Sequence, residues 1–227
     1  MNVESTFPRV LFDVGGIGVR DTVLVTWGIV LVLSLVSLFA VRRRTERPGP
    51  IQNALEAVVE GIEGLVAQTT DRDPAPFVPF IGTLGVFIVV ANALSIVPGL
   101  GSPTRDVNTA FALAGIVFLS VHVFAIWLVG APTYLRTYLE PHPLLLPFNV
   151  LGEITRTLAL ALRLFGNVLS GELVVAVLLL LAGLLVPVPM QILGLLIGLI
   201  QAYVFTLLSM VYIAAALQTA SRKEASS

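Results

Sequence analysis

Cysteine is absent from all 227 residues. That excludes disulfides, thiolate metal sites and cysteine nucleophiles. Charge is scarce: Asp, Glu, Lys and Arg make up 12% of the chain, where a soluble domain carries about 25%. Positive charge is not in excess, and the net charge of −1 leaves no surface that could track nucleic-acid phosphates. No His-Glu-x-x-His, Gly-x-Ser-x-Gly or phosphate-loop sequence occurs. Zincin and serine-hydrolase chemistry are therefore unsupported, and the chain has no ATP site of the usual kind. Met1 to Arg20 carries Glu4 and Asp13 and lacks an apolar core, so neither a signal peptide nor an Arg-rich transit peptide is expected. Internal repeats are also lacking, which weighs against an inverted-repeat transporter.

What is abundant is apolar surface. Hydrophobic residues make up 56%, and the mean hydropathy is +0.95. A first span is expected from Thr22 to Val41, closed by Arg42, Arg43, Arg44 and Arg47. By the positive-inside rule that basic end is cytoplasmic and the N-terminus is outside. After Pro48-Gly49-Pro50, residues Ile51 to Gln68 place Leu55, Val58, Val59, Ile62, Leu65 and Val66 at helical spacing, with Glu56, Glu60 and Glu63 on another face. This reads either as an amphipathic helix on the cytoplasmic membrane surface or as a solvated helix packed on a partner. A second span runs from Phe77 to Val97 and contains Asn92. An outer loop from Pro98 to Thr109 carries Arg105 and Asp106, and a third span follows from Ala110 to Val129. Ala131 to Pro147 is expected to be a cytoplasmic connection with Arg136, Glu140 and His142.

Two long helices complete the chain, Phe148 to Val186 and Met190 to Ala220, with Pro187-Val188-Pro189 as the turn. The first would be near 58 Å long at about 1.5 Å per residue. That is about twice the hydrocarbon thickness, so it must tilt strongly, lie nearly in the membrane plane or leave the bilayer. Arg222 and Lys223 place the C-terminus inside, in agreement with five crossings. The expected fold is an all-α integral membrane protein. It has about five embedded helices and one amphipathic surface helix, and the last two helices form a long tilted, near-horizontal hairpin. We expect one membrane domain, 1–227, made of 1–47, 48–73, 74–147 and 148–227.

Arg163 is the residue that most needs a function. It lies in Thr157-Leu158-Ala159-Leu160-Ala161-Leu162-Arg163-Leu164-Phe165-Gly166-Asn167. Arginine at the bilayer centre costs at least about 2.5–3.5 kcal/mol, and it cannot escape that cost by losing its proton. Apolar sequence extends too far on both sides for it to snorkel easily to the interface. A scaffold would not carry such a residue, and a single-chain transporter would have to pair it. At about 100° per residue, Arg156, Arg163, Asn167 and Ser170 fall within about 40° of one another. Glu172 lies half a turn away, so a simple intrahelical bridge to Arg163 is excluded. Glu153 and Arg156 can form an i,i+3 pair. On the following helix Gln201 and Tyr212 share a face. A lone amide is often interhelical glue, but Gln201 is also a suitable neighbour for a buried cation. His122, midway along the third span, is either a hydrogen-bonded packing histidine or a wet position in an access path. No carboxylate of the chain shares the Arg163 stripe at mid-membrane depth, so the counter-charge is expected from another subunit.

Leu160-Ala161-Leu162-Arg163-Leu164-Phe165-Gly166-Asn167, followed by Gly171-Glu172-Leu173, resembles the signature of the F-type ATP synthase subunit a family. Ile200-Gln201-Ala202-Tyr203-Val204-Phe205 is similar to its second signature. Val90 to Pro98 and Asp106-Val107-Asn108-Thr109 resemble weaker upstream motifs. The likeness covers roughly Phe77 to Leu217. It implies that Arg163 is the stator arginine facing the acidic residue of a rotating c-subunit ring, with Asn167 and Gln201 as polar neighbours. It also implies that Glu172 lines a half-channel open to the outer side. In many members the position seven before the counterpart of Gln201 is a histidine or a carboxylate, and here it is Gly194. The implied partners are the c-ring, b-type peripheral stalk subunits, a soluble ATPase head and the lipid bilayer. The cargo is H+ or Na+, no cofactor is expected, and the location is the bacterial inner membrane. Phrases such as Asp73-Pro74-Ala75-Pro76-Phe77 and Glu153-Ile154-Thr155-Arg156-Thr157 also resemble an alternate, sodium-linked group of the family.

Overall fold

Long apolar runs satisfy their own backbone hydrogen bonds only as helices, and helices make up most of the molecule. The computed structural model describes residues 10–14, 17–42, 49–70, 72–97, 101–139, 144, 146–182 and 187–224. The helices are α1 (Asp21–Arg42), α2 (Pro50–Thr69), α3 (Val78–Ala93), α4 (Val107–Val129), α5 (Ala131–Leu139), α6 (Leu146–Ala182) and α7 (Pro187–Glu224). Five of them, α1, α3, α4, α6 and α7, are long and apolar enough to cross a membrane. The family of expected spans is thereby recovered.

The expected all-α membrane fold is recovered, with a small addition before the first span: Val10–Val14 (β1) and Ile17–Arg20 (β2) form an antiparallel hairpin. Val10, Leu11, Phe12, Val14, Ile17 and Val19 are the β-branched and large apolar types that favour strands, and the segment is too short for a span. The connection after α4 is partly ordered as α5. Pro187 and Pro189 do not make the turn but occupy the first turn of α7. There a missing N–H costs nothing, because that donor has no intrahelical acceptor. His142, Glu140, Arg43, Arg44 and Arg47 lie outside the described residues.

Helix α7 is the central element, packing against α3, α4 and α6, while α4 also packs on α6. One apolar cluster joins Phe87 and Ile88 of α3, Ala114 and Val117 of α4, Leu160 and Leu164 of α6 and Phe205 of α7. The second, further along α7, joins Val66 of α2, Ile81, Val121, Tyr134, Met210 and Ile213. Alanines at these contacts let the helices approach closely, which is how helices associate in an apolar solvent. The last turns of α2 pack into the second cluster through Ile62, Leu65 and Val66, with Glu56, Glu60 and Glu63 exposed. Its earlier Val58 and Val59 stay exposed. Gly130 ends α4 at φ 91°, a conformation that suits a residue without Cβ.

The start of α4 is held by one carboxylate. Asp106 accepts from Asn108 N at 3.0 Å, from Arg20 Nη1 at 2.8 Å and from Thr22 Oγ1 at 2.8 Å. It therefore caps α4 and ties the β-hairpin and α1 to it. Asp106→Ala loses the cap and strands partly buried donors, a cost of about 2–3 kcal/mol. Asp106→Asn, which still caps, should cost less. Thermal loss of helical circular dichroism in detergent checks both: the alanine variant melts several degrees lower than the asparagine variant.

Candidate functional site

Helix α6 carries the site because its buried and exposed faces are chemically different. Leu160, Ala161 and Leu164 are buried in the core. Arg156, Arg163, Asn167 and Ser170 are all exposed on the outward side, among apolar neighbours such as Leu158 and Leu162. The structure thus puts the four stripe residues on the chain's outer surface. Among the described residues, no carboxylate comes within ion-pair distance of Arg163. Around it α6 and α7 run antiparallel, since Asn167 meets Gln201 while the earlier Arg156 meets the later Tyr212. Asn167 Nδ2 donates to Gln201 Oε1 at 2.6 Å. Gln201 is 4% exposed, and its Nε2 is buried with no acceptor among the described residues. The Arg156 guanidinium lies 6.0 Å from the Tyr212 ring centroid, within cation–π range.

Two polar regions flank this stripe. The first lies ten residues before Arg163, about 15 Å along the helix at about 1.5 Å per residue. A cavity of about 330 Å³ opens there between α4, α5, α6 and α7, lined in part by Tyr134, Asn149, Glu153, Arg156, Thr157 and Tyr212. His122 borders it. Its Nδ1 is 2.8 Å from the Phe118 carbonyl, so Nδ1 carries the hydrogen and Nε2 is left facing Glu153 Oε2 at 3.8 Å. Its ring stacks at 4.5 Å on Phe118 and meets Tyr134 edge-on at 5.8 Å. His122 is thus both packed and placed beside a carboxylate.

The second region lies nine residues past Arg163, about 13.5 Å along α6. Glu172 is 17% exposed there, and its Oε2 is 3.6 Å from Arg105 Nη1. Arg105 Nη2 donates to Asp21 Oδ2 at 3.1 Å. Below this pair Thr104 Oγ1 donates to Asn92 Oδ1 at 2.7 Å, and Asn92 Nδ2 donates to the Gly198 carbonyl at 2.8 Å. Sequence reasoning noticed Arg105 only as a loop residue and missed it as the partner of Glu172. The available signal was charge balance, because Glu172 has no cation within reach on its own helix face. Gly194 faces open space, and nothing on α7 there replaces Arg105.

The arrangement is thus an exposed permanent cation between two separated polar regions, with a packed apolar core behind it. The sequence profile of the ATP synthase A chain family matches residues 23–214, a range that includes Arg163, Asn167, Gln201, Glu153 and Glu172. Relatives named ATP synthase subunit a 2 are 48% identical in Pelobacter propionicus, over 96% of this chain and 94% of that protein. In a Picosynechococcus species the figures are 45%, 91% and 89%, and in a Bradyrhizobium species 42%, 93% and 95%. A secondary transporter is thereby set aside, and the chain belongs to the ATP synthase A chain family, the membrane subunit a of F-type ATP synthases.

Proposed function

We propose that this chain supplies the stator side of an ion-driven rotary motor. One half-channel lies on each side of Arg163, and Arg163 faces the carboxylates of a c-subunit ring. The observation that carries this reading is the exposed Arg163, with no carboxylate in ion-pair distance among the described residues, midway between the Glu153 cavity and the Glu172 cluster. The physics follows directly. An H+ or Na+ enters one half-channel and neutralises a ring carboxylate, which can then face lipid. When rotation brings that carboxylate to Arg163, the fixed positive charge favours its ionised form, and the ion leaves by the other half-channel. Arg163 also bars a direct leak, since a fixed cation repels a passing one. A potential of 100 mV supplies about 2.3 kcal/mol per charge, so each ATP requires several ions.

In this reading the chain is a non-catalytic subunit of a bacterial inner-membrane complex with a c-ring, b-type stalk subunits and a soluble ATPase head. The cluster Arg42 to Arg47 orients α1 with the N-terminus outside, so Glu172 belongs to the outer half-channel and Glu153 to the cytoplasmic one. Helices α6 and α7 have 37 and 38 residues. At about 1.5 Å per residue they exceed a bilayer of about 30 Å, so they lie strongly tilted across the ring. Cysteine cross-linking tests the interface. Single cysteines at Arg156, Asn167 and Ser170 should cross-link to the outer helix of the c-subunit. Cysteines at the exposed α4 positions Leu119 and Val123 should not. Equal cross-linking from α4 and α6 would remove the assignment of a ring-facing side.

A further inference from the structure

We propose that His122 and Glu153 together hold one transferable proton at the cytoplasmic end of the ion path, with His122 Nε2 as the atom that takes it up and gives it away. The proposal rests on the reading that the cavity beside Glu153 is the cytoplasmic half-channel.

His122 is the only titratable side chain of α4. It lies seven residues before the end of that helix at Val129, about 10 Å at about 1.5 Å per residue. Packing accounts for part of it. The ring stacks on Phe118 and meets Tyr134 edge-on, and Nδ1 donates to the Phe118 carbonyl at 2.8 Å. Packing does not account for Nε2. With the hydrogen on Nδ1, a neutral imidazole presents a lone pair at Nε2, and this atom lies 3.8 Å from Glu153 Oε2. A lone pair and a carboxylate oxygen repel each other. A proton on Nε2 turns the same geometry into an ion pair. The two side chains are 29% and 20% exposed, so bulk salt screens that attraction less than it would at a free surface.

The neighbouring cavity of about 330 Å³ has room for several water molecules, and a separation beyond hydrogen-bond length is one that water can bridge. In uptake, a hydronium in the cavity gives its proton to the Nε2 lone pair, leaving water and an imidazolium. In release, the Nε2–H bond breaks, its electron pair stays on nitrogen, and a cavity water carries the proton off. Glu153 stays ionised in both states and steadies the imidazolium by its charge. The other titratable or charged groups around the imidazole, among the described residues, are Tyr134 of α5, Arg156 of α6 and Tyr212 of α7; α3 carries none. The permanent charge of Arg156 disfavours a second proton on the pair, so the site carries one. A proton suits it better than Na+, because a hard cation takes oxygen ligands and half of this site is a nitrogen.

The test uses the assembled complex in proteoliposomes with the soluble head outward. ATP-driven ion uptake is measured against the pH of the medium, which is then the cytoplasmic side. Each variant is expressed as a ratio to wild type at the same pH, so that the pH dependence of the head cancels. His122→Phe keeps an aromatic ring against Phe118 and Tyr134 and removes the proton site. Its ratio should fall about tenfold from acid to alkaline medium, across the neutral range in which an imidazole exchanges its proton. His122→Phe combined with Glu153→Gln should match Glu153→Gln alone, because the two residues hold one proton between them. A ratio that does not change with pH would make His122 a packing residue and overturn the proposal. A complex driven by Na+ and indifferent to pH overturns it as well. Wild-type rates in Glu153→Gln at every pH would remove the half-channel reading itself, a failure distinguishable from the first. Should His122→Phe not assemble, His122→Asn decides. Its amide can still donate to the Phe118 carbonyl but does not titrate, and a pH-independent ratio there sinks the proposal equally.

Discussion

Arg163→Ala abolishes ion-driven ATP synthesis in the assembled complex while the detached soluble head still hydrolyses ATP. The ring carboxylate that reaches the stator would meet only leucine, alanine and the Asn167–Gln201 pair. Nothing there favours its ionised form, so it keeps its ion and rotation loses direction. A loss of at least about a hundredfold, ~2.7 kcal/mol, is expected. Passive ion leak rises, because the barrier of the fixed cation is gone. Arg163→Lys retains charge yet fails almost as badly. An ammonium sheds its proton more readily when desolvated, and it lacks the planar fork that spreads donors over a carboxylate. The measurement is the rate of ATP formation under an imposed ion gradient, with assembly verified by recovery of the c-ring. A properly assembled Arg163→Ala complex that synthesises ATP at near-normal rate would end this reading of the stripe.

Glu172→Gln slows synthesis by about tenfold, ~1.4 kcal/mol, without loss of assembly. The substitution is nearly isosteric, and Arg105 keeps its hydrogen bond to Asp21, so the cluster retains its form. What is lost is the negative charge that attracts and holds the ion. The defect should therefore be most pronounced at low ion concentration on that side and partly relieved at high concentration. A cysteine at 172 should react with water-soluble thiol reagents, as a residue in an aqueous path must. Wild-type synthesis in Glu172→Gln together with an unreactive cysteine would return Glu172 to a packing role.

The helices and the central charge were legible in the sequence for a common reason. In an apolar solvent the backbone can only pair with itself, so a long apolar run is a helix whatever surrounds it. A permanent charge inside such a run needs a partner or water. That Arg156, Arg163, Asn167 and Ser170 share one face follows from 3.6-residue periodicity alone, whereas the exposure of that face follows from the packing of Leu160, Ala161 and Leu164 on the other side. Other features depended on length and neighbours rather than composition. The β1–β2 hairpin is held to the body through Arg20 and Asp106, and a scan for helices has no way to see it. Pro187 and Pro189 resemble a breaker in sequence, and they act as a helix start only because nothing in the first turn requires their missing N–H.

Sequence alone determined that this protein carries several apolar spans and that Glu172 cannot pair with Arg163 along their own helix, and it led to the proposal that Arg163 answers a charge from another subunit. Each conclusion needs only local periodicity and the cost of moving a charge out of water. Tertiary structure alone decided which groups stand beside the proposed path. Arg105 reaches Glu172 from the turn before α4, His122 faces Glu153 from α4, and Gln201 meets Asn167 from α7. These pairs join residues far apart in the chain, and their distances are set by how α3, α4, α6 and α7 pack, a property that no local pattern contains.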